Sequence, residues 1–121
     1  MPVTVSAVDE LILVEVGPGS NFWEILEGVF KTSPRNGGSE KNQVWSVQEG
    51  ASSVKFDELL QLCDHIVLNY PKPLKRRKIA IVVEPGFASI VVDTFLVVAK
   101  KLPCELGKFS DFEEARSWAA A

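Results

Sequence analysis

Hydrophobic and polar residues follow two different periods along the chain, and the pattern predicts strands and helices in turn. Residues 3–7 alternate between apolar and polar, and residues 11–16 are mostly apolar. With the polar pair Asp9-Glu10 between them, these segments predict two strands joined by a tight turn. Gly17-Pro18-Gly19 ends the second strand.

Three segments have helical spacing. Asn21 and Glu24 form a capping box, which predicts a helix that begins beside them. Residues 56–70 carry apolar side chains at i, i+3 and i+4 with polar ones between, the clearest amphipathic helix in the chain. Phe87 to Leu102 is rich in Val and Ile, but its sixteen residues are too many for a typical strand, so a helix is predicted.

Short apolar runs separate these helices and predict further strands. Residues 44–47 form one, and residues 78–83 form a continuous run typical of a central strand. Residues 104–109 predict a last strand, followed by a helix that begins at Ser110 with Glu113 completing a capping box. One face of that last helix carries Phe112, Ala115 and Trp118.

The predicted order is therefore β-β-α-β-α-β-α-β-α. Strands that alternate with helices after an opening hairpin indicate an α/β fold with a mixed, largely parallel sheet and helices packed on it. Neither a repeat nor a composition break divides the chain, so residues 1–121 are predicted to form a single domain.

Composition narrows the class of protein. The chain is 46% hydrophobic and 24% charged, which is ordinary for a soluble globular domain. A net charge of −3 argues against general affinity for nucleic acid or anionic membrane, because both need clustered positive charge. No run reaches the roughly 18 to 20 apolar residues of a membrane span. The first residues do not predict a secretory signal.

Few residues are suited to catalysis or metal binding. Cys63 and Cys104 do not form a C-x-x-C pair, which favours a reducing cytoplasm over a disulfide framework. A single histidine, His65, is too few for a typical zinc site, so neither metal nor cofactor is predicted. Its helical neighbour Asp64 points about 100° away and cannot orient it, so the sequence predicts no enzyme.

Two segments resemble a known family. Residues 77–82 form the strand and residues 109–118 form an ending with an aromatic residue, a short polar turn, Glu-Ala and Trp. Both are similar to the SpoIIAA-like family of small bacterial proteins, which belongs with the STAS domains and, more distantly, the lipid-binding CRAL-TRIO domains. The resemblance implies four or five strands, four helices mainly on one face, a cytoplasmic location and no catalysis.

The resemblance also implies partners and a candidate switch. Members of the STAS group bind partner proteins, and some are switched by phosphorylation of a serine that follows a central strand. Residues 49–53 occupy that place here, so Ser52 and Ser53 are the candidate phospho-switch. The usual Asp-Ser-Ser or Asp-Ser-Gly pattern is missing, because Glu49 precedes the pair and Val54 follows it. The alternative is that Ser53 only caps the next helix.

The predicted helix from Phe87 to Leu102 is apolar around most of its circumference. One face can pack on the sheet, and the rest needs another cover. Two hypotheses are a homodimer interface and an apolar ligand pocket; the third is burial under helices of the same chain. The candidate surface consists of Phe87, Ile90, Val91, Phe95 and Val98.

These observations predict a non-catalytic interaction or regulatory module, dimeric and with a protein partner. The alternative is a carrier of a small apolar or lipid ligand, in a pocket lined by the helix of residues 87–102.

Overall fold

A computed structural model describes residues 3–8, 11–32, 41–48, 56–69, 77–101 and 104–121. The strands of this part of the chain are β1 (Val3–Val8), β2 (Leu11–Val16), β3 (Asn42–Val47), β4 (Arg77–Val83) and β5 (Cys104–Phe109). The helices are α1 (Phe22–Thr32), α2 (Phe56–Asn69), α3 (Phe87–Val98) and α4 (Phe112–Ala120), and a 3-10 turn (Ala99–Lys101) follows α3.

The five strands lie in one sheet in the order of the sequence, β1-β2-β3-β4-β5. β1 is antiparallel to β2, with Val5 opposite Val14. The remaining pairs are parallel, and Trp45 of β3 lies opposite Val14 on one side and Ile81 on the other. The predicted α/β class, with a mixed and mostly parallel sheet, is confirmed, and the described residues form five strands.

The strand order places three helices on one face. Each crossover from β2 to β5 moves one strand along the sheet in the same direction, and crossovers of this kind are right-handed. They therefore carry α1, α2 and α3 over the same face. After β5 the chain turns back, and α4 packs on β3, β4 and β5 from the opposite face.

Successive side chains of each strand point to opposite faces of the sheet, and both faces carry a hydrophobic core. On the three-helix face, Val14, Ile79 and Ile81 are buried together with apolar residues of the helices. On the other face, Ala80 of β4 meets Ala115 and Ala119 of α4, and all three are fully buried. Small side chains at this contact let the helix lie close to the sheet, so this layer is tightly packed.

The two predicted capping boxes have different outcomes. In the first, the Glu24 backbone N–H donates to Asn21 Oδ1 at 3.0 Å and the Asn21 N–H donates to Glu24 Oε1 at 3.2 Å, as predicted. In the second, the prediction of Ser110 as the cap is wrong. Asp111 is the N-cap of α4, because its extended backbone precedes the helix and its carboxylate accepts the Glu113 N–H at 3.3 Å.

The C-terminal end of α4 is fastened to the sheet by Asn42 and Lys78. Asn42 Nδ2 donates to the Ala119 carbonyl at 2.7 Å, and Asn42 Oδ1 accepts the Lys78 backbone N–H at 3.0 Å. Lys78 Nζ donates to the carbonyls of Trp118 and Ala121, each at 3.2 Å, and lies 5.4 Å from the centre of the Trp118 ring. A cation at this end of a helix also interacts favourably with the helix dipole.

We expect Asn42→Ala to lower the free energy of unfolding by about 1–3 kcal/mol, because it removes two hydrogen bonds and leaves part-buried backbone groups without them. Lys78→Met keeps the stem against Trp118 and is expected to lose less than about 1 kcal/mol, since its ammonium bonds are partly exposed. Urea denaturation of both variants measures the difference. A loss of less than about 1 kcal/mol in Asn42→Ala would show that Asn42 does not fasten the helix.

Helix α3 is shorter than predicted. It ends at Val98, four residues before Leu102, and the chain continues as the 3-10 turn. Among the described residues, none of the helices is both long enough and apolar enough to cross a membrane.

Candidate functional site

A cavity of about 110 Å³ lies between the sheet and the three-helix layer, and it is partly open to solvent. Among the described residues, sixteen line it, and all of them are apolar. Those from the sheet form its floor: Val16, Trp45, Val47, Ile79, Ile81 and Leu106. They come from four neighbouring strands because alternate positions of each strand point to the three-helix face.

The helices form the walls and roof of the cavity. From α1 and α2 the lining residues are Phe22, Ile25, Val29, Leu59, Leu62 and Ile66. From α3 they are Ala88, Val91, Val92 and Phe95. Helix α2 packs mainly on α1 and α3 and makes few close backbone contacts with the strands. The cavity lies beneath α2 and its two neighbours α1 and α3, all of which line it.

Of these sixteen described residues, Trp45 is the one whose side chain carries a polar atom. Its indole Nε1–H donates to Gln43 Oε1 at 2.8 Å, and Gln43 is fully buried on the same face of β3. The N–H is thus satisfied by the protein, and the cavity meets the carbon surface of the indole. Elsewhere in the described residues, no buried side-chain N or O atom lacks a hydrogen-bond partner.

Gln43→Leu is expected to destabilise the fold by about 1–3 kcal/mol, because it leaves the part-buried Trp45 N–H without its acceptor. Adding Trp45→Phe removes that donor, so the double variant should recover part of the loss. A double-mutant cycle of urea denaturation curves measures this coupling. Purely additive losses would show that the hydrogen bond does not stabilise the core.

The size and lining of the cavity limit what it can hold. Protein interiors are normally packed without spaces as large as the 110 Å³ of this cavity. An enclosed apolar cavity of about 150 Å³ can hold a benzene ring, and this cavity is smaller but partly open to solvent. The arrangement is thus suited to an apolar molecule with about one ring or a short alkyl chain.

The structure separates the candidate surface of α3 into two sides. Val91 and Phe95 line the cavity, and Val98 packs against the buried cluster beside it. Ile90 points away and is 61% exposed, while only the backbone of Phe87 is described. Sequence reasoning missed Ala88 and Val92, whose place on the same helical stripe as Val91 and Phe95 could have indicated them.

The candidate phospho-switch, Ser52 and Ser53, lies outside the described residues. His65 and Asp64 are on α2; the first is half-buried and the second exposed. Cys63 is buried and forms no disulfide.

Comparisons with protein-family models, with curated proteins and with solved structures find no match for this chain. The function of the cavity must follow from its own size and lining.

Proposed function

We propose that this chain is a non-catalytic binding protein for a small apolar ligand, which it holds in the cavity beneath α2. The observation that carries the proposal is the cavity itself, with space of about 110 Å³ and sixteen apolar lining residues. A carrier of an apolar ligand and a sensor of one both need a cavity of this kind.

The energetics favour occupancy of the cavity. An apolar ligand leaves water, and it gains dispersion contacts with the apolar side chains that line the cavity. Because the ligand binds the folded state alone, it stabilises the fold by RT ln(1 + [L]/Kd), about 2.7 kcal/mol at a concentration a hundredfold above Kd.

Thermal and urea denaturation with and without toluene test this proposal. Toluene carries one ring and no polar group, so we expect it to raise both the midpoint temperature and the free energy of unfolding in a saturable way. Native mass spectrometry and solvent extraction of the purified protein should also detect apolar molecules retained from the cells. Stability that does not change with toluene, together with no retained molecule, would contradict the proposal.

A second candidate is an interaction module that forms a homodimer through the outer side of α3. Ile90 and Val97 lie two turns apart on that side and are 61% and 65% exposed. Burying both in a contact between two copies would remove apolar surface from water. Sedimentation at increasing concentration tests this; Ile90→Lys should shift a dimer to monomer, and a wild-type protein that stays monomeric would refute it.

Membership of the SpoIIAA-like family stays a prediction that rests on residues 77–82 and 109–118. The α/β order, with one antiparallel strand pair and four helices, is compatible with it. A cytoplasmic location and a switch at Ser52 and Ser53 are further predictions of that resemblance, and intact-mass measurement after co-expression with candidate kinases tests the switch.

A further inference from the structure

We infer that the cavity selects hydrocarbon, so the part of the ligand that enters it carries neither hydroxyl nor charge. This inference rests on the proposed binding function and defines the chemical class of the ligand. The candidates are an unsubstituted or alkyl-substituted aromatic ring and a short alkyl chain.

The lining supplies no described side-chain group that could bind a polar atom of a ligand. Fifteen of its sixteen residues are Val, Ile, Leu, Phe or Ala, and Trp45 is the exception. The indole N–H of Trp45 donates a hydrogen bond to Gln43 Oε1 at 2.8 Å. Lys108 of β5 and Asp93 of α3 bind each other at 2.7 Å, and neither lines the cavity.

Most backbone groups of the floor and roof are also bonded within the sheet or along a helix; Phe22 and Ala88 are the exceptions, because they lie in the first turns of α1 and α3. Trp45 of β3 and Ile81 of β4 lie in strands that are hydrogen-bonded to a parallel strand on each side. Lining residues such as Leu62 and Val92 lie inside helices, where backbone groups bond along the helix. A ligand hydroxyl inside the cavity would lose its bonds to water and gain few in return.

Toluene and phenol form a matched pair that tests this selectivity, because they have nearly the same shape and differ by a methyl group against a hydroxyl. We expect toluene to bind about 10- to 100-fold more tightly than phenol to the full chain. Isothermal titration calorimetry of both compounds against the wild-type protein gives the ratio of the two dissociation constants.

A hydroxyl placed in the lining should reduce that ratio. Val92 is buried, lines the cavity and is isosteric with threonine. In Val92→Thr the hydroxyl donates to the Ala88 carbonyl one turn earlier and can still accept a bond from phenol. Val44→Thr is the matched control, because Val44 is equally buried but lies under α4 on the opposite face.

The outcomes separate the inference from the proposed function. Strong preference for toluene, reduced by Val92→Thr and unchanged by Val44→Thr, supports the inference. Equal affinity for toluene and phenol overturns the inference while leaving apolar-ligand binding intact. A ratio that Val92→Thr does not change, in a variant that still binds toluene, also overturns it. Binding of neither compound by the wild-type protein overturns the inference and the proposed function together.

Discussion

The Ala88→Leu variant is expected to fold normally and to lose binding of toluene. Ala88 is 1% exposed and lines the cavity from the first turn of α3, so a leucine there places three more carbon atoms in the empty space. Filling a cavity commonly stabilises a protein by about 0.5–2 kcal/mol. We therefore expect a higher free energy of unfolding in the absence of ligand, and no further stabilisation by toluene.

Ala115→Leu is the matched control for this change. Ala115 is also fully buried on a helix, but it packs between α4 and the sheet, away from the cavity. The same three carbon atoms should overpack that layer and lower stability by about 1–3 kcal/mol, with toluene binding retained. If both substitutions were equally destabilising, or if Ala88→Leu bound toluene as tightly as the wild-type protein, the cavity would not be the binding site.

The Leu62→Ala variant is expected to lose about 2–5 kcal/mol of stability and to accept a larger ligand. Leu62 is buried on α2 and forms part of the cavity roof, so its removal extends the space that already exists. Butylbenzene is longer than toluene and should fit the wild-type cavity poorly. It should therefore stabilise this variant more than it stabilises the wild-type protein. Urea denaturation with and without butylbenzene measures both effects.

Leu26→Ala provides the comparison. Leu26 is buried on α1 in the same hydrophobic cluster but does not line the cavity. Its loss of stability should be similar, because the same atoms are removed from a packed interior. The extra stabilisation by butylbenzene should be absent. Equal stabilisation of both variants by butylbenzene would contradict this account. It would show that a void made anywhere in the hydrophobic cluster binds the ligand, whether or not it adjoins the existing cavity.

Much of the fold follows from local patterns in the sequence. The continuous apolar run of residues 78–83 identified a central strand because such a strand is covered on both faces, and β4 carries helices on both. Breakers at residues 17–19 ended β2 where predicted. The cap of α4 was misassigned because Ser110 and Asp111 are both good caps, and Glu113 stands three residues after the serine, as a capping box requires.

The sequence predicts less of the candidate site than of the fold. The apolar excess of α3 indicated that this helix meets something besides the sheet, but it did not show which residues face inward. Ile90 and Val91 are adjacent and equally apolar, yet one is exposed and the other lines the cavity. That distinction depends on how α3 is placed over β4.

The hydrophobic pattern of the sequence does not predict the cavity. Its volume depends on the sizes of side chains that meet from four strands and three helices. Periodicity shows which face of an element is apolar. It does not show whether the facing side chains fill the space between them.

The most direct test of a ligand site beneath α2 is a titration with toluene followed by carbon–proton NMR spectra of the methyl groups of Ile, Leu and Val. We predict saturable shifts at methyl groups that line the cavity, such as those of Leu62, Ile79 and Val91, with the methyl groups of Leu11 and Val44 under α4 unchanged. Spectra that do not change with toluene, or shifts as large under α4 as beneath α2, would contradict the proposed function.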